Sequence, residues 1–152
     1  MRLLFVCVGN SCRSQMAEGI ARSLGHDAAS AGTHPETKVS ANALKVLESR
    51  GINTDGLYPK LVDDIDWQSF DMVISMGCGV SCPTIRIDQD WALEDPYGQP
   101  LDAFEACAST IENNIRWYHD VVTTTGVTIH WCLGASAHVP NTSDGDRTKN
   151  CT

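Results

Sequence analysis

An apolar run that ends in a polar, glycine-containing loop constrains this chain more than any other feature. Residues 3–7 read LLFVC, the next seven read VGNSCRS, and a helical pattern begins at the end of that loop. A short, continuous apolar run is typical of a parallel strand that is covered on both faces. The strand, the loop and the helix together therefore predict the first strand–helix unit of an α/β domain.

Strand and helix patterns alternate along the rest of the chain. Further strands are predicted at 27–32, 71–75 and 84–88, and helices at about 14–24, 41–50 and from 100 onward. This order indicates an α/β fold around a mainly parallel sheet. Ligands of such sheets bind at the carboxyl ends of the strands, which is where the segments 7–14 and 76–83 are predicted to lie.

Length and charge narrow the function classes. The chain has 152 residues, which suits one domain, and its 11 basic and 19 acidic residues give a net charge of −8. That charge argues against nucleic-acid or anionic-membrane binding. No apolar run reaches the roughly 18–20 residues that span a bilayer. The amino-terminal run predicts a buried strand rather than a signal peptide, and hence a cytoplasmic protein.

The periodic pattern stops near residue 124, so we expect a domain over 1–124 and a loosely ordered extension over 125–152.

Cysteines are numerous for this length: Cys7, Cys12, Cys78, Cys82, Cys107, Cys132 and Cys151. In a cytoplasmic protein such cysteines are expected to be reactive or metal-binding rather than a disulfide framework.

The loop after the first strand has the composition of an oxyanion site. Backbone N–H groups that curl inward at a helix N-terminus hold a tetrahedral anion. Gly9 permits unusual backbone angles, Asn10 tolerates a positive φ, and Arg13 can grip two oxygens with its planar guanidinium. The predicted oxyanion-binding residues are Val8, Gly9, Asn10, Ser11, Cys12 and Arg13.

Cys7 precedes that loop and is the candidate nucleophile. The helix N-terminus and Arg13 are expected to lower the pKa of its thiol, and Ser14 to donate a hydrogen bond to its sulfur. Taken alone, Cys7 would be read as a cysteine that packs at a strand end. The Gly, Asn, Arg and Ser that follow favour the nucleophile.

Asp95 is the candidate general acid for a leaving oxygen. Pro96 stiffens the segment WALEDPYGQP and holds Asp95 in an extended conformation. The alternative is that Asp95 and Pro96 only start a turn before the last helix.

These motifs resemble one known superfamily. CVGNSCRS followed by QMAEG, with a later DWALEDPYGQ, resembles the low-molecular-weight protein tyrosine phosphatases, over residue 1 to about 124. The resemblance implies a three-layer sandwich with a central four-stranded, mainly parallel sheet. Ser11, Gln15 and the segment SMGCGVSCP look like the arsenate reductases of this fold, whereas Tyr97 is also typical of the phosphatases.

The resemblance implies reduction of arsenate to arsenite through a thiol cascade. Cys7 attacks arsenic, and Cys78 then attacks Cys7, with Gly77 and Gly79 allowing the loop to move. Cys82 resolves the disulfide. No tightly bound cofactor is implied, only an external thiol reductant. Thioredoxin is one candidate, and glutathione or mycothiol with glutaredoxin is the other, because the spacing Cys78-x3-Cys82 is short for thioredoxin-coupled reductases.

Four alternatives stay open at this point. One alternative to the reductase is a phosphatase that hydrolyses phosphomonoesters, and another is a non-catalytic oxyanion or arsenic sensor. A zinc site built from the pairs Cys7/Cys12 and Cys78/Cys82 would leave the oxyanion loop without a purpose, so no metal is predicted there. Glu18 is expected to be a solvated carboxylate on the first helix; the alternative, by resemblance to the reductases, is that Asn10, Glu18 and Ser30 hold a structural potassium ion.

The remaining conspicuous residues are predicted to be structural. Cys12 either packs or shields Cys7 from overoxidation by forming a disulfide. Cys107 is expected to be a small buried residue. Trp67 and Trp117 are expected in the core, and His119 at a helix end.

Overall fold

A computed structural model describes residues 1–77 and 85–125, and for 121–125 the backbone alone. The strands are β1 (Arg2–Cys7), β2 (Asp27–Gly32), β3 (Met72–Ser75) and β4 (Gln89–Asp90), and the helices are α1 (Arg13–Ser23), α2 (Ala41–Ser49) and α3 (Leu101–Thr125). Two 3-10 turns, Val62–Asp64 and Trp67–Ser69, precede β3. Cys78, Cys82 and the predicted extension lie outside the described residues, apart from the last residue of α3.

The four strands form one parallel sheet in the order β2-β1-β3-β4, which confirms the predicted fold class. β1 is central: Cys7 pairs with Gly32 of β2, and Val6 pairs with Ser75 of β3. β2 pairs with one edge of β1, and the chain then crosses to the other edge, where β3 pairs. The carboxyl end of β1 is therefore the point where the strand order reverses. Such a point is the usual ligand site of an open parallel sheet.

Alternate residues of β1 enter two hydrophobic clusters. Leu3, Phe5 and Cys7 face the larger cluster, which the three helices cover. Leu4 and Val6 face a smaller one, which is closed by Val62 and other residues near the 3-10 turns. The molecule therefore has three layers, and β1 is buried on both faces. No helix within the described residues combines the length and apolarity needed to cross a membrane.

The last strand begins later than the sequence predicted. β4 is Gln89–Asp90 rather than a strand over 84–88. Pairing with β3 starts at Asp88, whose backbone N–H donates to the Val73 carbonyl at 2.9 Å, while its carboxylate accepts the Val73 N–H at 2.7 Å. The Asp88 carboxylate thus accepts a hydrogen bond that a backbone carbonyl accepts in a regular pair of strands. The alternating Ile85 and Ile87, which suggested a strand, lie before this pairing, and Ile87 is exposed.

Four further residues differ, wholly or in part, from their predicted places. Trp117 is exposed on α3 and does not belong to the core, whereas Trp67 packs half-buried against the smaller cluster. His119 lies within α3 rather than at its end, because the helix continues to Thr125. The His119 and His26 rings meet edge to face, with 5.4 Å between their centroids. Cys107 packs against the larger cluster as expected, but it is half-buried rather than buried.

Candidate active site

The loop between β1 and α1 surrounds a cavity of about 220 Å³. Its lining consists of Cys7, Val8, Gly9, Asn10, Ser11, Cys12, Arg13, His34, Glu36, Asp95 and Tyr97. The structure therefore brings the predicted nucleophile, the predicted acid and all six predicted oxyanion-binding residues to a single cavity. Ser14 lies behind the loop, fully buried against Cys7.

The carbonyl groups of the loop are tied to the segment that follows β2. The carbonyls of Val8, Gly9 and Ser11 accept backbone hydrogen bonds from His34, Glu36 and Ser40 at 2.8–2.9 Å. In a planar trans peptide the next N–H points opposite to the carbonyl. These bonds therefore turn the N–H groups of Gly9, Asn10 and Cys12 away from that segment and into the loop.

Two backbone positions make this curvature possible. Asn10 has a φ of 48°, in the left-handed region that its sequence context predicted. Gly32 was not predicted to matter, yet a β-carbon there would lie 2.5 Å from the Val8 carbonyl oxygen and 2.9 Å from Asn10 Cβ. No local motif marks Gly32, because its closeness to the loop comes from the pairing of β1 with β2.

The Cys7 sulfur is buried and hydrogen-bonded. Ser14 Oγ lies 2.9 Å from Sγ, and the Asn10 N–H donates to Sγ at 3.1 Å. Burial raises the pKa of the Cys7 thiol, while the bonds from Ser14 and Asn10 and the charge of Arg13 oppose that rise. The expectation of a lowered pKa is therefore wrong, because loss of hydration outweighs the donors.

Arg13 is held by the ends of two neighbouring strands. Its Nη1 donates to the carbonyl oxygens of Met76 and Leu93 at 2.9 and 2.8 Å, and only 7% of the residue is exposed. Its Nη2 lies 3.6 Å from Asp95 Oδ2. The guanidinium is thus fixed in the cavity lining before an anion arrives.

Asp95 lies at the mouth of the cavity, with about half of its side chain exposed. Its Oδ1 accepts the Tyr97 N–H at 3.1 Å, and its carbonyl accepts Gln99 Nε2 at 3.1 Å. Asp95 therefore both starts a turn before α3 and faces the cavity, so the two predicted roles are compatible. Tyr97 is 67% exposed beside it.

A polar network lies behind the loop and does not fit a potassium ion. Asn10 Nδ2 donates to Ser14 and Ser30 at 2.8 Å each, and its Oδ1 accepts the Lys60 N–H and Gln15 Nε2. The Asn10 oxygen, the natural ligand for a cation, is thus already occupied. Glu18 is buried, so the expectation of a solvated carboxylate is wrong, and Lys60 Nζ lies 3.5 Å from its Oε2. An ammonium group already supplies the positive charge there.

Of the other cysteines considered for the site, Cys12 lies within the described residues, and Cys78 and Cys82 do not. Cys12 is buried in the loop with Ser11 Oγ 3.6 Å from its sulfur, and burial raises the pKa of its thiol. Cys78 and Cys82 lie outside the described residues, so their roles and the zinc alternative stay predictions. Gly77 has a φ of +97°, and a β-carbon there would lie 2.9 Å from Ala92 Cα, so close packing also requires this glycine.

Comparison with known proteins gives a consistent family. The family model of the low molecular weight phosphotyrosine protein phosphatases matches residues 2–127. The glutaredoxin arsenate reductase of Synechocystis sp. is 36% identical over 122 residues, which are 76% of this chain and 93% of that protein.

Solved structures agree. An arsenate reductase in its phosphate-binding state superimposes with a TM-score of 0.71 at 36% identity, covering 77% of this chain and 95% of the other. A low molecular weight protein tyrosine phosphatase from T. tengcongensis gives 0.69 at 31% identity, covering 80% and 99%. This chain therefore belongs to the low molecular weight phosphotyrosine protein phosphatase family, which includes the arsenate reductases to which it is similar.

Proposed function

We propose that this protein is an arsenate reductase that uses Cys7 as its nucleophile. The observation that carries the proposal is the arrangement of the loop. Its inward N–H groups and the anchored Arg13 surround the place above the Cys7 sulfur where a tetrahedral oxyanion would lie. The identity with the Synechocystis arsenate reductase over 93% of that protein supports arsenate as the oxyanion.

The first step transfers arsenic to sulfur. Burial raises the pKa of the Cys7 thiol. In the proposed step the thiol proton passes to an oxygen of the bound arsenate dianion as the sulfur–arsenic bond forms. One arsenic–oxygen bond breaks, and Asp95 protonates the departing hydroxide, which leaves as water. Arg13 and the loop N–H groups balance the charge on the remaining oxygens.

The second step reduces the arsenic. A second thiolate attacks the Cys7 sulfur and forms a disulfide, while the electron pair of the sulfur–arsenic bond stays on arsenic. Arsenic(V) becomes arsenic(III), which takes up a proton and leaves as arsenite. Cys78 is the second thiol in this proposal, and Cys82 then displaces Cys7 to give a Cys78–Cys82 disulfide.

Arsenate reductases of this kind draw electrons from an external thiol reductant. We assign that role here to glutathione or a similar thiol acting with glutaredoxin. The short spacing Cys78-x3-Cys82 and the glutaredoxin named in the Synechocystis relative support this assignment. Thioredoxin is the alternative donor that an assay must include.

Phosphomonoester hydrolysis is the second candidate function. The same loop fits a phosphoryl group, and the exposed Tyr97 at the cavity offers an aromatic surface for an aryl leaving group. The 31% identity to the T. tengcongensis phosphatase points in the same direction. A non-catalytic sensor would bind the oxyanion without either reaction.

Two assays on the same preparation separate these functions. The first follows arsenate-dependent NADPH oxidation with the glutathione–glutaredoxin or the thioredoxin system, and the second follows hydrolysis of an aryl phosphate. We expect arsenate turnover with the glutaredoxin system and none in Cys7→Ser. Fast hydrolysis without arsenate turnover supports the phosphatase, and anion binding without either activity supports the sensor.

A further inference from the structure

Glu18 places a carboxylate in the interior of the protein. Its side chain is 1% exposed on α1, and a buried charge of this kind needs close partners. Arg22 Nη2 lies 2.6 Å from Oε1, but 43% of the Arg22 side chain is exposed. Lys60 Nζ approaches the other oxygen, Oε2, at 3.5 Å, and its side chain is only 13% exposed. Lys60 is therefore the interior cation.

Lys60 is held on several sides, so its ammonium is fixed rather than free to leave. Nζ donates to the Tyr58 carbonyl at 2.8 Å and lies 4.3 Å from the centroid of the Tyr58 ring. Its backbone N–H donates to Asn10 Oδ1 at 2.8 Å, and its carbonyl accepts the Gly32 N–H at 2.8 Å. Burial lowers the pKa of Lys60, and the charge of Glu18 opposes that change.

A continuous series of hydrogen bonds joins this ion pair to the nucleophile. Ser30 Oγ donates to Glu18 Oε2 at 2.6 Å and accepts Asn10 Nδ2 at 2.8 Å. The same Asn10 amide donates to Ser14 Oγ at 2.8 Å, and Ser14 Oγ lies 2.9 Å from the Cys7 sulfur. The orientation of the Asn10 amide is thus set by Glu18 and Lys60 at one end and used by Ser14 at the other.

We propose that the Lys60 ammonium is a positioning residue that serves as a built-in monovalent cation, holding Glu18, Asn10 and Ser14 in the arrangement that faces Cys7. The protein then needs no potassium ion. Removal of the ammonium takes away the cation beside Glu18 Oε2. A potassium ion from solution can replace that charge at the carboxylate, while the Asn10 oxygen stays bonded to Gln15 and to the backbone N–H of position 60. The variant therefore acquires a dependence on potassium that the wild-type protein lacks.

The test compares wild type, Lys60→Met and the matched control Lys45→Met, whose lysine is exposed on α2. Each protein is held in choline chloride or in potassium chloride at equal ionic strength. The readouts are the rate of Cys7 alkylation by iodoacetamide, followed on the Cys7 peptide by mass spectrometry, and the thermal unfolding midpoint. Neither readout uses arsenate, so the test is independent of the proposed reaction.

We expect wild type and Lys45→Met to give the same values in both salts. In choline, iodoacetamide should alkylate Cys7 of the Lys60→Met variant about tenfold more slowly than Cys7 of wild type. A misoriented Ser14 no longer donates the hydrogen bond that favours the thiolate. Potassium chloride should restore most of that rate and raise the midpoint. A wild-type protein whose Cys7 alkylation rate or unfolding midpoint rises specifically in potassium chloride overturns the proposal. So does a Lys60→Met variant with the wild-type rate in choline, or a slow rate that potassium leaves unchanged.

A second variant decides the matter if Lys60→Met does not fold in either salt. Glu18→Gln combined with Lys60→Met removes both charges and hence the need for a cation. We expect this double variant to fold and to respond equally to the two salts. A double variant that remains unfolded contradicts the role of Lys60 as the partner of Glu18.

Discussion

The β-carbon that Gly32 lacks would lie 2.5 Å from the carbonyl oxygen of Val8. Gly32 is the last residue of β2 and pairs with Cys7, so the anion loop must pass directly over it. No side chain fits between the strand end and the loop. The shape of the candidate site thus depends on a residue 25 positions away from the nucleophile along the chain.

Gly32→Ala should therefore distort the loop. Overpacking of this kind costs about 1–3 kcal/mol of stability. Displacement of the inward N–H groups should weaken phosphate binding roughly tenfold or more, since a hydrogen bond to a charged group contributes about 1.5–3 kcal/mol. Thermal unfolding and calorimetric titration with phosphate measure the two effects.

Gly25→Ala is the control for that variant. Gly25 has a φ of +90°, so alanine is strained there, but among the described residues no atom beyond its two chain neighbours lies within 4 Å of the added carbon. The control should lose about 1–2 kcal/mol of stability and keep its phosphate affinity. Equal affinities in wild type and Gly32→Ala would show that the loop does not need this close approach.

Ser14→Ala should make Cys7 less reactive at neutral pH. The hydroxyl 2.9 Å from the sulfur is the main hydrogen-bonding influence that holds down the pKa of Cys7 against burial. Its loss should raise that pKa further and slow iodoacetamide alkylation at pH 8 about tenfold. Ser23→Ala, which removes a hydroxyl that donates to the Ile20 carbonyl at 2.7 Å, is the control. A pH profile of alkylation that is identical in Ser14→Ala and wild type contradicts the assigned contact.

Asp95→Asn should slow arsenic transfer without weakening anion binding. A positioned general acid contributes typically about 10²–10⁴ in rate, and asparagine keeps the size and the turn-forming oxygen of Asp95. Single-turnover arsenite release should fall by that factor, while the phosphate affinity stays within a few-fold of wild type. Glu94→Gln, at the exposed neighbouring position, should leave both quantities unchanged. Loss of binding in Asp95→Asn would instead assign the residue to the anion site.

Cys107 should make stability depend on pH in the alkaline range. Burial raises the pKa of its thiol to about 11 in the folded protein, so the folded state retains the proton more strongly than the unfolded chain does. Its contribution to the free energy of unfolding is complete below about pH 8.5 and declines as the pH rises towards 11. The difference in urea stability between wild type and Cys107→Ala should therefore shrink between pH 7.5 and 10.5. A constant difference contradicts the burial-driven shift.

The local part of the site could be predicted from the sequence. The apolar strand, the positive φ of Asn10 and the placement of Cys7 and Arg13 all follow from short-range patterns. Asp95 could be chosen because Asp-Pro is conspicuous once an oxyanion loop is present. These features depend on neighbours a few residues away, which is the range over which backbone preferences act.

The long-range part could not be predicted. Gly32 and Lys60 reach the loop only through strand pairing and through chain segments far from Cys7 in sequence. The direction of the Cys7 pKa depends on how completely three layers exclude water, which no motif reports. The apolar residues at 85 and 87 suggested a strand, but the pairing began only where Asp88 reached Val73.

A single turnover without an external reductant is the decisive experiment on arsenate reduction by Cys7. Fully reduced protein is mixed with excess arsenate and quenched, arsenite is quantified, and disulfides are mapped by mass spectrometry. We expect about one arsenite per chain, a new disulfide that contains Cys7 or joins Cys78 to Cys82, and no arsenite from Cys7→Ser. Cysteines that all remain reduced, with no arsenite released, would contradict it.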